Sequence, residues 1–298
     1  MLLNTKIPFS YILKKVKQEL IFVIIIATIV KVVALEFSEY LPEMPLGIPA
    51  FFGTAITIIL SFKLNQSYDR WWEARKVWGA IVNDSRSLVL LLQSFLSTHQ
   101  AKEIQVITYR HIAWCYALGQ NLRQLDALKG NEHFFNQTEI DQINEHNNIP
   151  LAILQLNTLH LAALKNSGQL TEFNHVQLTT IITRFSDSMG MAERIKNTVF
   201  PVTYRKLLHF MIYIFVISLS LSLGEINGIF ELPLLLVVSS TFLLLEKTAT
   251  HMQDPFENRP SDTNITTIAT TIETNLKHLI QDFKHVPTIE KSNKFYSL

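Results

Sequence analysis

Few side chains in this sequence stand at spacings that perform covalent chemistry. The ten histidines are scattered. None falls in a His-Glu-x-x-His metal pattern, and the chain holds no Walker loop and no Gly-x-Ser-x-Gly nucleophile turn. One cysteine, Cys115, leaves no internal disulfide and no thiolate cluster. His133 and His146 share a polar stretch without a recurring ligand spacing and read as surface residues rather than metal ligands. No catalytic group, metal or cofactor is therefore expected, and an enzyme is a poor reading. What does recur is physical. Thr54, Ile58 and Phe62 lie four residues apart in an uncharged run, which places them on one face of a helix. Such a stripe ordinarily packs inside its own chain. Repeated around a ring it would instead form stacked apolar collars that hold back water and ions by dewetting.

The elements that must position this stripe follow from hydropathy. The 298 residues are 48% apolar and 17% charged with a net charge of +1, so neither nucleic-acid binding nor disorder has compositional support. The apolar residues concentrate in four runs, 20–37, 46–62, 207–223 and 229–245, each about long enough to cross ~30 Å of hydrocarbon at about 1.5 Å per residue. The first run contains Lys31 and Glu36, and Lys31 must snorkel or face other helices. A cleaved signal peptide fits the first run poorly, because the preceding leader is long and no small-x-small site follows. The second run is free of charge, with Pro49 in its first turn where a missing N–H costs little.

Lysine and arginine set the expected orientation. Lys6, Lys14, Lys15 and Lys17 precede the first span. Lys63, Arg70, Arg75 and Lys76 follow the second, Arg194, Lys196, Arg205 and Lys206 precede the third, and Lys247 follows the fourth. All fall on one side, which predicts a multi-pass protein of the cell (inner) membrane with both termini cytoplasmic. The short outer connections carry Glu39, Glu43 and Glu225 and no cation. The segments 63–203 and 247–298 should then form a cytoplasmic helical body. Val77, Ile81, Leu88, Leu91, Leu92 and Phe95 extend the helical periodicity of the second span to about residue 96. Further helices are expected over 101–125, 151–165, 172–196 and 263–283, with a looser polar connection at 131–150 and a turn at Ser167 and Gly168. Neither an internal repeat nor a low-complexity tract is visible. Apolar stripes on such a body need partners, so self-association completes the fold. The fold class is thus an all-α membrane protein with four transmembrane helices and a large helical body.

Two blocks carry a family resemblance. The first is Ile48-Pro49-Ala50-Phe51-Phe52-Gly53 with Ser61-Phe62-Lys63-Leu64-Asn65 and Tyr68-Asp69-Arg70-Trp71-Trp72-Glu73-Ala74-Arg75. The second is Asp254-Pro255-Phe256-Glu257-Asn258 with Asp262 and Ile272-Glu273-Asn275-Leu276. Together with the four-span layout, they resemble the bacterial bestrophin family over nearly the whole chain. The resemblance implies a ring, with a pentamer expected, around one central pore. It implies a membrane neck, here Thr54, Ile58 and Phe62, and a second cytoplasmic constriction, for which Phe173 and Val176 are the candidates. Thr54 departs from a fully apolar neck and could soften the barrier at the outer collar. Arg70, Trp71 and Trp72 sit where a helix leaves the lipid and, with Asp254, Pro255 and Phe256, are expected in interfacial and subunit packing. Asp69 and Glu73 are expected to pair with Arg70, Arg75 or Lys76.

Animal members of the family follow a similar Pro-Phe turn with a run of aspartates. This chain has Arg259-Pro260-Ser261-Asp262, too few carboxylates for calcium, so the segment is expected to be a turn that docks the last helix. Chloride or another small anion is the permeant ion that the resemblance implies. The acidic outer connections would instead concentrate cations, which keeps a monovalent cation channel open as an alternative. A secondary carrier or a non-conducting signalling protein of the same fold is the other alternative, although no paired broken helices in two halves are visible. The expected partners are further copies of the chain, membrane lipid and the permeating inorganic ions, with no nucleic acid.

Overall fold

The computed structural model describes residues 8–37, 39–40, 44–198, 201–224, 228–284 and 286–287. Within them lie nine α-helices and no strand. They are α1 (Phe9–Glu36), α2 (Gly47–Phe95), α3 (Ala101–Leu122), α4 (Gln137–Asn144), α5 (Ile149–Asn166), α6 (Glu172–Asn197), α7 (Val202–Ser222), α8 (Gly228–Gln253) and α9 (Ile265–Leu279). The four apolar runs fall in α1, α2, α7 and α8, and these helices are long and apolar enough to cross a membrane. Of the outer acids, Glu43 and Glu225 lie outside the described residues.

The second apolar run does not end at the lipid. It belongs to a helix of 49 residues, because the run hands over to an amphipathic pattern without an intervening breaker. The polar stretch 131–150 is more ordered than its composition suggests. A 3-10 turn at Glu132–Phe134 is followed by α4, whose N-terminus carries a capping box: the Asn136 side chain accepts from the Glu139 N–H, and the Glu139 carboxylate accepts from the Asn136 N–H. The Asn148 and Thr171 side chains cap α5 and α6 in the same manner, accepting from Leu151 and Asn174. Gly168, at φ +75°, supplies the left-handed residue that closes α5. The last helix is shorter than its pattern, Ile265–Leu279 rather than 263–283, since Asp262 and Thr263 belong to the preceding turn.

The chain divides into two units. The first comprises 71–198 and the described residues from 254 onward. Its core is a helical body around Trp78, Ile81, Leu88, Trp114, Leu118, Leu178 and Phe185, all fully buried. Helix α9 lays Ile265, Ile268, Ala269, Ile272 and Leu276 against it. The close approach of α3 and α9 depends on Gly119, where a Cβ would stand 2.6 Å from Ile265 Cγ2. The second unit comprises the described residues up to 70, together with 201–253. Its buried seam is narrow: Val16, Val23 and Ala27 of α1, Ile56 and Leu60 of α2, Leu208, Ile212, Phe215 and Val216 of α7, and Leu235 and Leu243 of α8. Further apolar side chains, such as Leu20, Ile26, Phe52 and Phe242, pack partly buried against this seam, and others, among them Ile21, Phe22, Phe210 and Val237, point outward. A largely apolar exterior around a thin seam is how a helix bundle reads when its solvent is lipid.

Candidate functional site: the exposed face of α2 and its buried support

Helix α2 divides sharply into two faces within the membrane-type unit. Ile56, Leu60, Lys63 and Ser67, at helical spacing, are buried. Thr54, Ile58 and Phe62, with Phe51 beside them, lie on the outward face; Ile58 is 55% and Phe62 63% exposed. The stripe found in the sequence therefore does not pack within its own chain. The Thr54 hydroxyl donates to the Ala50 carbonyl at 2.9 Å and that of Thr57 to Gly53 at 2.8 Å. Both protons are spent on the helix itself, so the threonines offer no donor hydrogen outward and soften the apolar face less than their type suggests.

The buried face fixes where this stripe points. The Phe215 ring of α7 packs over Gly53, 3.4 Å from where a Cβ would stand. The Tyr204 hydroxyl donates to the Ile59 carbonyl at 2.7 Å, tying the start of α7 to α2. Immediately after Phe62, Lys63 is fully buried. Its ammonium donates to Glu246 Oε1 at 2.6 Å and to the Thr250 hydroxyl at 2.8 Å, and Thr250 in turn donates to the same carboxylate. His209 Nε2 stands 3.1 Å from Glu246 Oε2, at ion-pair distance but outside hydrogen-bonding alignment. A buried pair satisfied on this many sides locks helix register, because any slip would strand a charge in an apolar seam. The sequence marked Lys63 as a topogenic cation and as part of the first family block but not as half of a buried pair; the signal was a charge at one end of each of two apolar runs, Lys63 and Glu246.

Phe173 and Val176 lie in the first two turns of α6, in the other unit, and are 71% and 56% exposed. Neither packs against its own chain's core. Arg70 donates through Nε to the Gln253 carbonyl at 2.9 Å, fixing the end of α8 against α2. Trp71 donates through Nε1 to the Ser261 carbonyl at 3.1 Å and stacks on Trp72, which stays half-exposed. Glu73 pairs with Arg194, far along the chain, rather than with the cations beside it, because α6 brings that guanidinium onto the same face.

The turn after α8 is built from the second sequence block. Phe256 is fully buried in the helical body, and the Pro255 carbonyl accepts from the Thr263 N–H at 3.0 Å. Lys196 sets its ammonium between Asp254, at 2.7 Å, and Glu257. Burial alone would lower the Lys196 pKa, but the two carboxylates outweigh it and hold the ammonium above its usual range; Lys196 in turn holds Glu257 below the usual carboxylate range. Asp262 accepts from the Arg259 N–H at 3.0 Å, yet burial pushes its carboxyl up to about 6. A lysine thus stands where a cation between Asp254 and Glu257 would have to sit. Among the described residues, no three His, Cys, Asp or Glu side chains converge as a metal would require.

The histidine with the largest shift is likewise mute. His111 donates from Nε2 to Ser85 Oγ at 2.8 Å, since the Ser85 proton goes to the Ile81 carbonyl. Burial lowers its pKa to about 3 and raises that of the neighbouring Cys115 thiol. A neutral imidazole stacked on Trp114 and tilted against Phe185, and an un-ionised thiol, both without access to solvent, are core residues.

A family model described as "Bacterial/Fungal Bestrophin protein" matches residues 3–278. The voltage-dependent anion channel-forming protein YneE of Escherichia coli (strain K12) is 28% identical over 247 residues, covering 83% of this chain and 80% of that one. A protein of Ralstonia nicotianae with the same descriptive name is 27% identical over 233 residues, covering 76% and 75%. Among solved structures, a bacterial bestrophin homologue from Klebsiella pneumoniae superposes with a TM-score of 0.82 at 23% identity, covering 89% of this chain and 98% of that one. A family match over nearly the whole chain, joined to four membrane-length helices, leaves one conclusion: this membrane protein belongs to the bacterial/fungal bestrophin family.

Proposed function

We propose that the chain is a subunit of a homo-oligomeric ring, a pentamer, that conducts chloride or other small monovalent anions across the cell membrane, and is not an enzyme. The observation that carries this reading is the outward apolar face of α2, held in register by a buried ion pair. Turned toward a common axis, copies of Thr54, Ile58 and Phe62 form three stacked collars, a neck that closes to water by dewetting and opens on a small widening. The anion preference rests on the names of the relatives, which are anion channel-forming proteins. The lysines and arginines flanking the spans support a cytoplasmic position for both termini. Phe173 and Val176, exposed at the start of α6, are the candidates for a second collar at the cytoplasmic end.

A cation-conducting reading is favoured by one observation: the outer connections carry acidic residues, Glu39 among them, and no lysine or arginine. The reversal potential of the purified oligomer in a planar bilayer under an asymmetric potassium chloride gradient decides between the two. A reversal potential toward the chloride equilibrium value is expected. One toward the potassium value replaces the anion reading with the cation one, and saturating flux without discrete openings replaces both with a carrier.

A further inference from the structure

Lys31 is the only lysine or arginine between residues 18 and 62 or between 207 and 246. It is therefore the sole cation in the outer half of the spanning helices, amid Glu36, Glu39 and Glu231. It stands about 7 Å short of the end of α1, counting about 1.5 Å per residue, and Glu231 lies one turn inside the start of α8. The Lys31 ammonium donates to the Glu231 carboxylate, whose other oxygen accepts weakly from Ser220 Oγ at 3.4 Å. The two groups differ in exposure: the Glu231 side chain is 7% exposed and that of Lys31 45%. A groove of about 480 Å³ between α1 and α8 opens onto this pair, walled by Val32, Leu35, Leu232 and Leu235.

A charge pair at the mouth of an apolar groove, at the depth where spans meet headgroups, has a specific chemical complement. Lys31 retains two N–H donors for an anion, and Glu231 retains acceptor capacity for a cation. A single ligand that places a phosphate and a primary ammonium a few bonds apart, with acyl chains behind them, answers both and fills the apolar wall. We infer that the α1–α8 groove binds the headgroup of a phosphatidylethanolamine of the outer leaflet, phosphate on Lys31 and ammonium on Glu231. Choline lacks the N–H donors Glu231 would accept, and an anionic headgroup without an ammonium meets Glu231 as a like charge. The inference rests on the membrane-spanning reading and its orientation, and is independent of conduction.

Native mass spectrometry of the purified oligomer tests this, with phosphatidylethanolamine, phosphatidylcholine and phosphatidylglycerol of identical acyl chains offered in equal amounts. The wild-type protein is expected to retain phosphatidylethanolamine over phosphatidylcholine roughly tenfold, about what one charge-assisted hydrogen bond is worth. Glu231→Gln should turn the preference toward phosphatidylglycerol, because Lys31 is left uncompensated. Leu232→Trp, which fills the groove without touching either charge, should lower retention of all three. Equal retention of the three lipids by the wild-type oligomer, as when a neighbouring subunit closes the groove, overturns the inference. So does an ethanolamine preference that survives in both variants with the oligomer intact in the same spectra.

Discussion

Lys63 shows what a single residue contributes and how little of it the sequence displays. Its charge, and its place after an apolar run, were plain; its partners were not, because Glu246 and Thr250 lie 183 and 187 residues further on and only the packing of α2 against α8 brings them together. Asp262 carries the prediction at this scale. Its carboxyl is raised from an ordinary 3.8 to about 6 because the folded chain buries it with only partial compensation. A raised folded-state value means that the folded protein binds the proton more tightly, so the associated stability is fully present below about pH 3.8 and lost as pH rises through about 6. Asp262→Asn, which keeps an acceptor for Arg259 without the charge, should therefore raise stability above pH 6 by on the order of 2 kcal/mol and make little difference below pH 4. Thermal unfolding of both proteins across that range checks this. A variant less stable than wild type at pH 8 would mean that the ionised carboxylate is itself a stabilising partner in the turn.

At the scale of elements, long periodic helices were legible and short capped ones were not. The extension of α2 from a membrane-length run into an amphipathic rod followed from spacing alone, as did α3, α5 and α6, because their apolar residues recur every three to four positions. Helix α4 escaped because its eight residues are mostly polar and their order comes from the Asn136–Glu139 capping box rather than from an apolar face. The stripe Thr54, Ile58 and Phe62 was legible as a stripe, but its outward orientation was not, since periodicity does not say which face meets the chain's own core. Gly119 is a similar case. The sequence gives no sign that it sits at a helix crossing, yet its missing side chain is what lets α9 lie on α3. Gly119→Val should force Ile265 aside and loosen α9, costing about 1–3 kcal/mol as overpacking does. Amide hydrogen exchange would then rise in Ile265–Leu279 ahead of the rest of the body. Unchanged protection there would mean that the crossing has room the close Cβ position does not reveal.

For the whole molecule, the two units have different solvents, and their sequences say so. The helical body buries a wide core that includes Trp78, Trp114, Phe185 and Phe256; the membrane-type unit hides a thin seam and a few paired charges and shows apolar side chains over much of the rest of its helices. Fold class and family were therefore legible from hydropathy and two short blocks, whereas the number of subunits and the permeant ion of the proposed channel are properties of an assembly and of no single chain. The central claim is that the outward face of α2 forms the neck rather than a lipid-facing surface, and single-channel recording of Phe62→Ala beside Phe22→Ala tests it most directly. Both side chains are large, apolar and exposed, at 63% and 57%. If Phe62 forms a collar, its truncation should widen the narrowest apolar ring and raise conductance or open probability severalfold, while Phe22→Ala, on α1, should leave both unchanged. Equal behaviour of the two variants and the wild-type channel would contradict the neck on α2.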